Sequence, residues 1–231
     1  MDLDWSEQSP HIRTLFQAWH NGDGYEEDDI AAAEARCGVR LPEALRSFYG
    51  TWGRRRDLTR MNEDLLGPNA WAVHSNALIF YAENQGCAYW ALPLETLEET
   101  DPPVVVADDE LQAVWEVTDG LIWRASHPQA SAFLDDLTYG HAFAGGAVHG
   151  ARSGRLRLLS WQTEWLEQNW RTATRTAVDL RYPEHGPGWP VYVLEGRAIK
   201  RVMDSFWAVA NSLEALDEMA RALAIEWERR W

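Results

Sequence analysis

The stretch FYAENQGCAYWAL, Phe80 to Leu92, sets a carboxylate and two amides, Glu83, Asn84 and Gln85, ahead of Gly86 and between two apolar runs. Side-chain acceptors in such a place either meet a ligand or satisfy the N–H groups of a turn. A glycine that closes the run by taking a positive φ favours the second. Glu83, Asn84, Gln85 and Gly86 are therefore read as the structural turn of a hairpin. The histidines are the next carriers of chemistry, and His74, His127, His141, His149 and His185 are scattered along the chain. No H-E-x-x-H, paired C-x-x-C, G-x-S-x-G, P-loop or strand-linked G-x-G-x-x-G motif accompanies them. His141 and His149 share the glycine-rich YGHAFAGGAVHGARSG, but a separation of eight fits neither a helical nor a hairpin ligand pair. That segment is read as a solvated loop, and no catalytic residue, metal ligand or cofactor site is assigned.

Acidic side chains are the more informative group. The chain of 231 residues carries 36 Asp and Glu against 21 Lys and Arg, a formal net charge of -15. Phosphate binding rests on clustered Lys and Arg, so a nucleic-acid binder is disfavoured and a basic protein partner is the better electrostatic match. The acids gather in two places: Gly24-Tyr25-Glu26-Glu27-Asp28-Asp29, and a segment from Glu95 through Glu98, Glu99, Asp101, Asp108, Asp109 and Glu110 that contains no Lys or Arg. Each is either a solvated face or a recognition surface. Arg54-Arg55-Arg56 is the local basic exception. Fourteen tryptophans fill the core and the seams between elements, and an exposed subset would serve as interface anchors. Cys37 and Cys87 have no metal-ligand spacing, which suits a reducing compartment. The start MDLDWSEQSPH has neither a basic n-region nor an apolar h-region, and no window approaches the roughly 18 apolar residues of a spanning helix. The expectation is a soluble cytoplasmic protein without a membrane partner; the oligomeric state is left open.

The elements that must position these residues follow from period and punctuation. Ser9-Pro10 opens a helix with Ile12, Leu15, Phe16 and Trp19 on one face, ending near Gly22. Asp28 or Asp29 caps a second helix up to Gly38, and Leu41-Pro42 opens a third with Leu45, Phe48, Tyr49 and Trp52. Short runs then follow, Ala77–Ala82, Cys87–Leu92, Val104–Ala107, Ala113–Val117 and Leu121–Ala125, joined by the Glu83–Gly86 turn and by Thr118-Asp119-Gly120. The prolines of DPPVVVADD place that strand at a sheet edge or at a strand start. Ser126 caps a helix through Ala130, Phe133, Leu134 and Leu137, and the glycine-rich segment after it is the best candidate boundary. Beyond it come a helix with Trp161, Trp165 and Trp170, a hairpin at Glu195-Gly196, a strand near Phe206 and a last helix. That helix carries the stripe Leu213, Leu216, Met219, Ala220, Leu223, Ala224 and Trp227, with Ser212 as N-cap. The sum is an α+β fold: a central, mostly antiparallel β-sheet with N-terminal helices and a C-terminal helix packed mainly on one face.

The order Ile30…Glu34…Cys37-Gly38…Leu41-Pro42…Leu45…Phe48-Tyr49…Trp52-Gly53, then LIFYAENQGCAYWAL, DPPV and a final strand running into FWAVANSLEAL, resembles the SUKH superfamily, in its Smi/Knr cell-wall-regulator-like branch. The resemblance spans nearly the whole chain. It implies one domain over 1–231, with an N-terminal helical extension (about 1–24) and a long insertion (about 140–201). It implies no catalytic residues and, as for many bacterial members, an immunity protein that occludes a cognate toxin, often a nuclease. On that reading Tyr25, Glu26, Glu27, Asp28, Glu98, Glu99, Asp101, Asp108 and Asp109 are the toxin-binding candidates. The alternatives are a regulatory or scaffold module akin to the cell-wall regulators, or a hydrolase or small-ligand binder whose pocket joins His and carboxylate groups.

Overall fold

The computed structural model describes residues 10–61, 63–108, 120–153, 159–175 and 190–231. Helices α1 (Pro10–Arg13), α2 (Glu27–Cys37), α3 (Glu43–Trp52) and α4 (Arg56–Thr59) come first. Strands β1 (Asp64–Leu65), β2 (Ala72–His74), β3 (Ala77–Ala82), β4 (Ala88–Pro93), β5 (Val104–Asp108) and β6 (Arg124–His127) follow. Helix α5 (Ala130–His141) leads to β7 (His149–Ser153), α6 (Ser160–Asn169), β8 (Arg171–Arg175), β9 (Pro190–Leu194), β10 (Arg197–Val202), β11 (Ser205–Ala210), α7 (Leu213–Leu223) and β12 (Trp227–Arg230). The fold is α+β, and every strand pairing is antiparallel. The strands form two sheets rather than the one central sheet expected from sequence. The described residues also divide into two compact units, one over 20–137 and one joining 10–19 to 138–231, with the division falling inside α5.

In the first unit the sheet runs β1-β3-β4-β5-β6, with β2 also on β3. Ser75 and Asn76, at φ 46° and 61°, make the two-residue left-handed turn that sets His74 opposite Ala77, the backbone twist a tight hairpin requires. Strict alternation along β3 would put Tyr81 on the face opposite Phe80. A bulge shifts the register between Ile79 and Tyr81, so both rings reach Phe133 of α5, each at 5.3 Å. Trp90 and His127 join that cluster. On the other face Ala77, Ile79 and Ala91 are buried beneath Leu66, Tyr89, Val105, Leu121 and Trp123. β5 lies between β4 and β6, so Pro102 and Pro103 mark a strand start, not an edge. The expected run Ala113–Val117 and the turn residues Thr118 and Asp119 lie outside the described residues.

In the second unit the order is β12-β7-β11-β10-β9-β8. Leu216, Met219 and Leu223 of α7 pack on Tyr192, Ile199, Phe206, Ala208 and Ala210, and Ser212 caps the helix by accepting the Ala215 N–H at 3.2 Å. Gly196, at φ 65°, closes the β9–β10 hairpin.

Four expectations are corrected here. The first helix stops at Arg13: the Arg13 carbonyl accepts the Trp19 indole N–H (2.9 Å) and the Leu15 carbonyl accepts the Val148 N–H (2.9 Å), acceptors that a continuing helix would use internally. Ser126 does not cap α5 but lies in β6. The glycine-rich segment is not a loop; it is the end of α5, a wide turn Ala142–Gly146 in which Gly145 takes φ 116°, and β7. Finally, α7 ends at Leu223, and Trp227 belongs to a strand while its indole N–H still reaches the Leu216 carbonyl at 2.9 Å.

Candidate functional site

The hairpin Glu83–Gly86 is occupied with itself. The Glu83 carboxylate accepts the N–H groups of Gln85 (2.7 Å) and Cys87 (3.1 Å), the Gly86 N–H returns to the Glu83 carbonyl (2.8 Å), and Gly86 takes φ 74°. A carboxylate so engaged is a loop fastener.

Two of the four carboxylates of the first acidic run, Glu27 and Asp29, pair with the chain's own arginines. Tyr25 donates its N–H to the Tyr49 carbonyl (2.9 Å), has the Arg54 guanidinium 5.0 Å over its ring, and is hemmed in by Gly53 and Gly67, where a Cβ would come within 2.7 Å and 2.6 Å of it. Glu27 pairs with Arg46 and Asp29 with Arg54 at 2.8 Å. Arg55, 7% exposed, is held between Asp57 and Asp23. Glu26 and Asp28 stand exposed at the start of α2.

The second acidic run behaves differently. Asp101 is structural: its two carboxylate oxygens accept the Ser131 N–H (2.8 Å) and the Ser131 hydroxyl (2.6 Å), which fastens the first turn of α5 from outside the helix. Glu95, Glu98 and Glu99 are exposed on the β4–β5 connection. The Asp108 backbone pairs with Ala88 at the end of β5, and Asp109 lies outside the described residues.

Glu95 borders an open groove of about 500 Å³, lined by Ser75, Asn76, Ala77, Pro93, Leu94, Val105 and Trp123. Its walls are held by hydrogen bonds: the Trp123 indole N–H donates to the Ser75 carbonyl (3.0 Å), the Leu94 N–H to the Asn76 carbonyl (2.9 Å), and the Gly120 N–H to the Ser75 hydroxyl (3.4 Å). Of these residues, sequence reasoning singled out Glu95 in its acidic run and missed the rest. The Ser75-Asn76 pair between two apolar runs was the available signal, since Asn tolerates the left-handed conformation such a turn needs.

His127 and His141 are not among the residues that line this groove. His127 approaches Ser126 Oγ through Nδ1 (2.8 Å) and Asp136 Oδ2 through Nε2 (3.5 Å), and stacks edge-on against Phe133 at 5.2 Å. Near it the Tyr81 hydroxyl donates to Glu63 (2.8 Å); burial first, then Glu63, hold that phenol well above its ordinary pKa, so it stays protonated. These contacts satisfy polar tips inside an aromatic cluster. His141 is buried and its pKa is lowered to about 4 by desolvation. Among the described residues no three His, Cys, Asp or Glu side chains gather as a metal set, and no helix is long and apolar enough to cross a membrane.

Comparisons with protein-family models, with curated proteins and with solved structures each returned no match. What the groove can bind follows from its own chemistry: apolar walls, one indole, one exposed amide and one exposed carboxylate beside a run of further acid.

Proposed function

We propose that the chain is a non-catalytic binding protein for a basic protein, and that it acts in the cytoplasm as an immunity protein of the SUKH type, occluding a cognate bacterial toxin of the nuclease class. One observation carries the reading: the open, Trp123-walled groove is bordered by an acidic segment, from Glu95 through Glu98 and Glu99, that contains no lysine or arginine. A nuclease surface built to face phosphates would meet the same sign of charge here, so these side chains would compete with nucleic acid for it. Glu98 and Glu99, on the same exposed connection as Glu95, supply a charged rim that steers encounter, and Trp123 an aromatic anchor beside it. The sequence resemblance supplies the toxin class. Co-expression with toxins encoded beside this gene is the test. Rescue of growth together with stoichiometric co-purification is expected, and failure with every neighbouring toxin overturns the reading.

A further inference from the structure

We infer that the Trp123 groove is a clamp for an arginine side chain of the basic partner. The inference rests on the reading above, that the chain binds a basic protein, and names the group that this protein inserts. Pro93, Leu94 and Val105 offer apolar surface to an aliphatic stem. The Trp123 N–H is already given to the Ser75 carbonyl, which fixes the indole and leaves its ring as the recognition surface. A planar cation is the group that stacks best on an indole. At the mouth stand the exposed Asn76 amide and the exposed Glu95 carboxylate, acceptors that suit the forked donors of a guanidinium.

The distribution of charge around the groove agrees. Arg124 follows Trp123 directly but pairs with Val106, whereas Val105, a groove residue, pairs with Ala125. Alternation along the strand therefore directs Arg124 to the opposite face and leaves Glu95 as the charged side chain among the described residues that line the groove. A neutral occupant would leave Glu95 without a cation, and an anion would be repelled. Because Ser75 and Asn76 are pinned through their carbonyls to Trp123 and Leu94, the groove is formed before the partner arrives, which reduces the ordering cost of binding.

The test uses the full chain labelled with ¹⁵N, with the Trp123 indole resonance identified as the one lost in Trp123→Phe. Acetyl-Gly-Arg-Gly-amide is titrated in parallel with its lysine and citrulline counterparts. A saturable shift of the Trp123 resonance is expected with the arginine peptide, with affinity lower by about tenfold for the other two and by about tenfold in Glu95→Gln, the factor that about 1.4 kcal/mol represents. Asp28→Asn, on the other acidic run, leaves the titration unchanged. No saturable shift, equal binding of the citrulline or lysine peptide, an unaffected Glu95→Gln, or an equal loss in Asp28→Asn overturns the clamp. Co-expression separates the two levels. If Glu95→Gln rescues growth from a neutralised toxin as well as the parent chain does, the clamp fails and the toxin reading stands. Arginine-specific binding with no neighbouring toxin neutralised supports the clamp and removes the toxin reading.

Discussion

A carboxylate that accepts two hydrogen bonds from another element contributes more to folding than one standing in water, and Asp101 is of that kind. Removing it in Asp101→Ala leaves the Ser131 N–H and hydroxyl without this acceptor at the first turn of α5. A loss of about 1–2 kcal/mol in denaturant unfolding is expected, the range of a deleted helix cap. Glu98→Gln, at an exposed position of the same acidic run, should stay within about 0.5 kcal/mol of the parent. His141 yields a pH prediction of definite sign. Burial lowers its pKa from 6.5 to about 4, so between those values the unfolded chain takes up a proton that the folded chain refuses. Its contribution is whole above pH 6.5 and is lost as pH falls toward about 4, with a slope approaching about 1.4 kcal/mol per pH unit. Unfolding of His141→Gln across the same range should show a shallower decline, and the difference between the two curves isolates this group from the titrating carboxylates.

The end of α7 shows how an element can be stopped by backbone bonds that periodicity does not register. Ala224 takes φ 51°, its N–H reaches the Arg221 carbonyl at 3.3 Å, and the Ile225 N–H reaches the Ala220 carbonyl at 3.0 Å, the paired bonds of a Schellman cap. An exposed alanine in the left-handed region carries a steric cost that glycine does not. Ala224→Gly should therefore raise stability by up to about 1 kcal/mol, read as a higher denaturant midpoint at unchanged slope. Because Trp227 returns to bond the Leu216 carbonyl, the apolar stripe runs on in sequence past the point where the helix ends. Other departures have the same origin. Long-range acceptors such as Leu15 and donors such as Val148 outcompete local helix bonds in α1, and the bulge in β3 moves Tyr81 across the sheet. What was legible depended on local bonding: the Glu83–Gly86 turn, the Ser212 cap and strands β3, β4 and β5 follow from neighbours in the chain, whereas the run expected over Leu121–Ala125 forms its strand at Arg124–His127. The groove did not, because Trp123 meets Ser75 across 48 positions and Val105 reaches the same wall through strand pairing. Nor did the assignment of strands to two sheets, since each strand carries a pattern that either sheet would accept.

At the scale of the whole molecule, net charge and local charge do different work. A formal charge of -15 acts at a distance on any basic partner, whereas a groove with one carboxylate and one indole acts only at contact. The internal pairings Glu27–Arg46 and Asp29–Arg54 cancel part of the first acidic run against the chain's own cations, so the arginine-free Glu95–Glu99 segment contributes more field per residue. Long-range attraction is screened over about 10 Å at 0.1 M salt, while a stacked and desolvated contact is screened much less. Association with a basic toxin should therefore slow by an order of magnitude or more as salt rises from about 50 to 500 mM, with dissociation changing far less. Stopped-flow tryptophan fluorescence measures both rates. Within such a series, neutralising Glu98 and Glu99 together should lower the association rate and flatten its salt dependence, because rim charges act on encounter. Trp123→Leu should act mainly on dissociation, because a buried aromatic anchor sets residence time rather than approach. If instead both variants changed the same rate constant to the same extent, steering and anchoring would not be divided between rim and groove, and the groove would lose its special place in the interface.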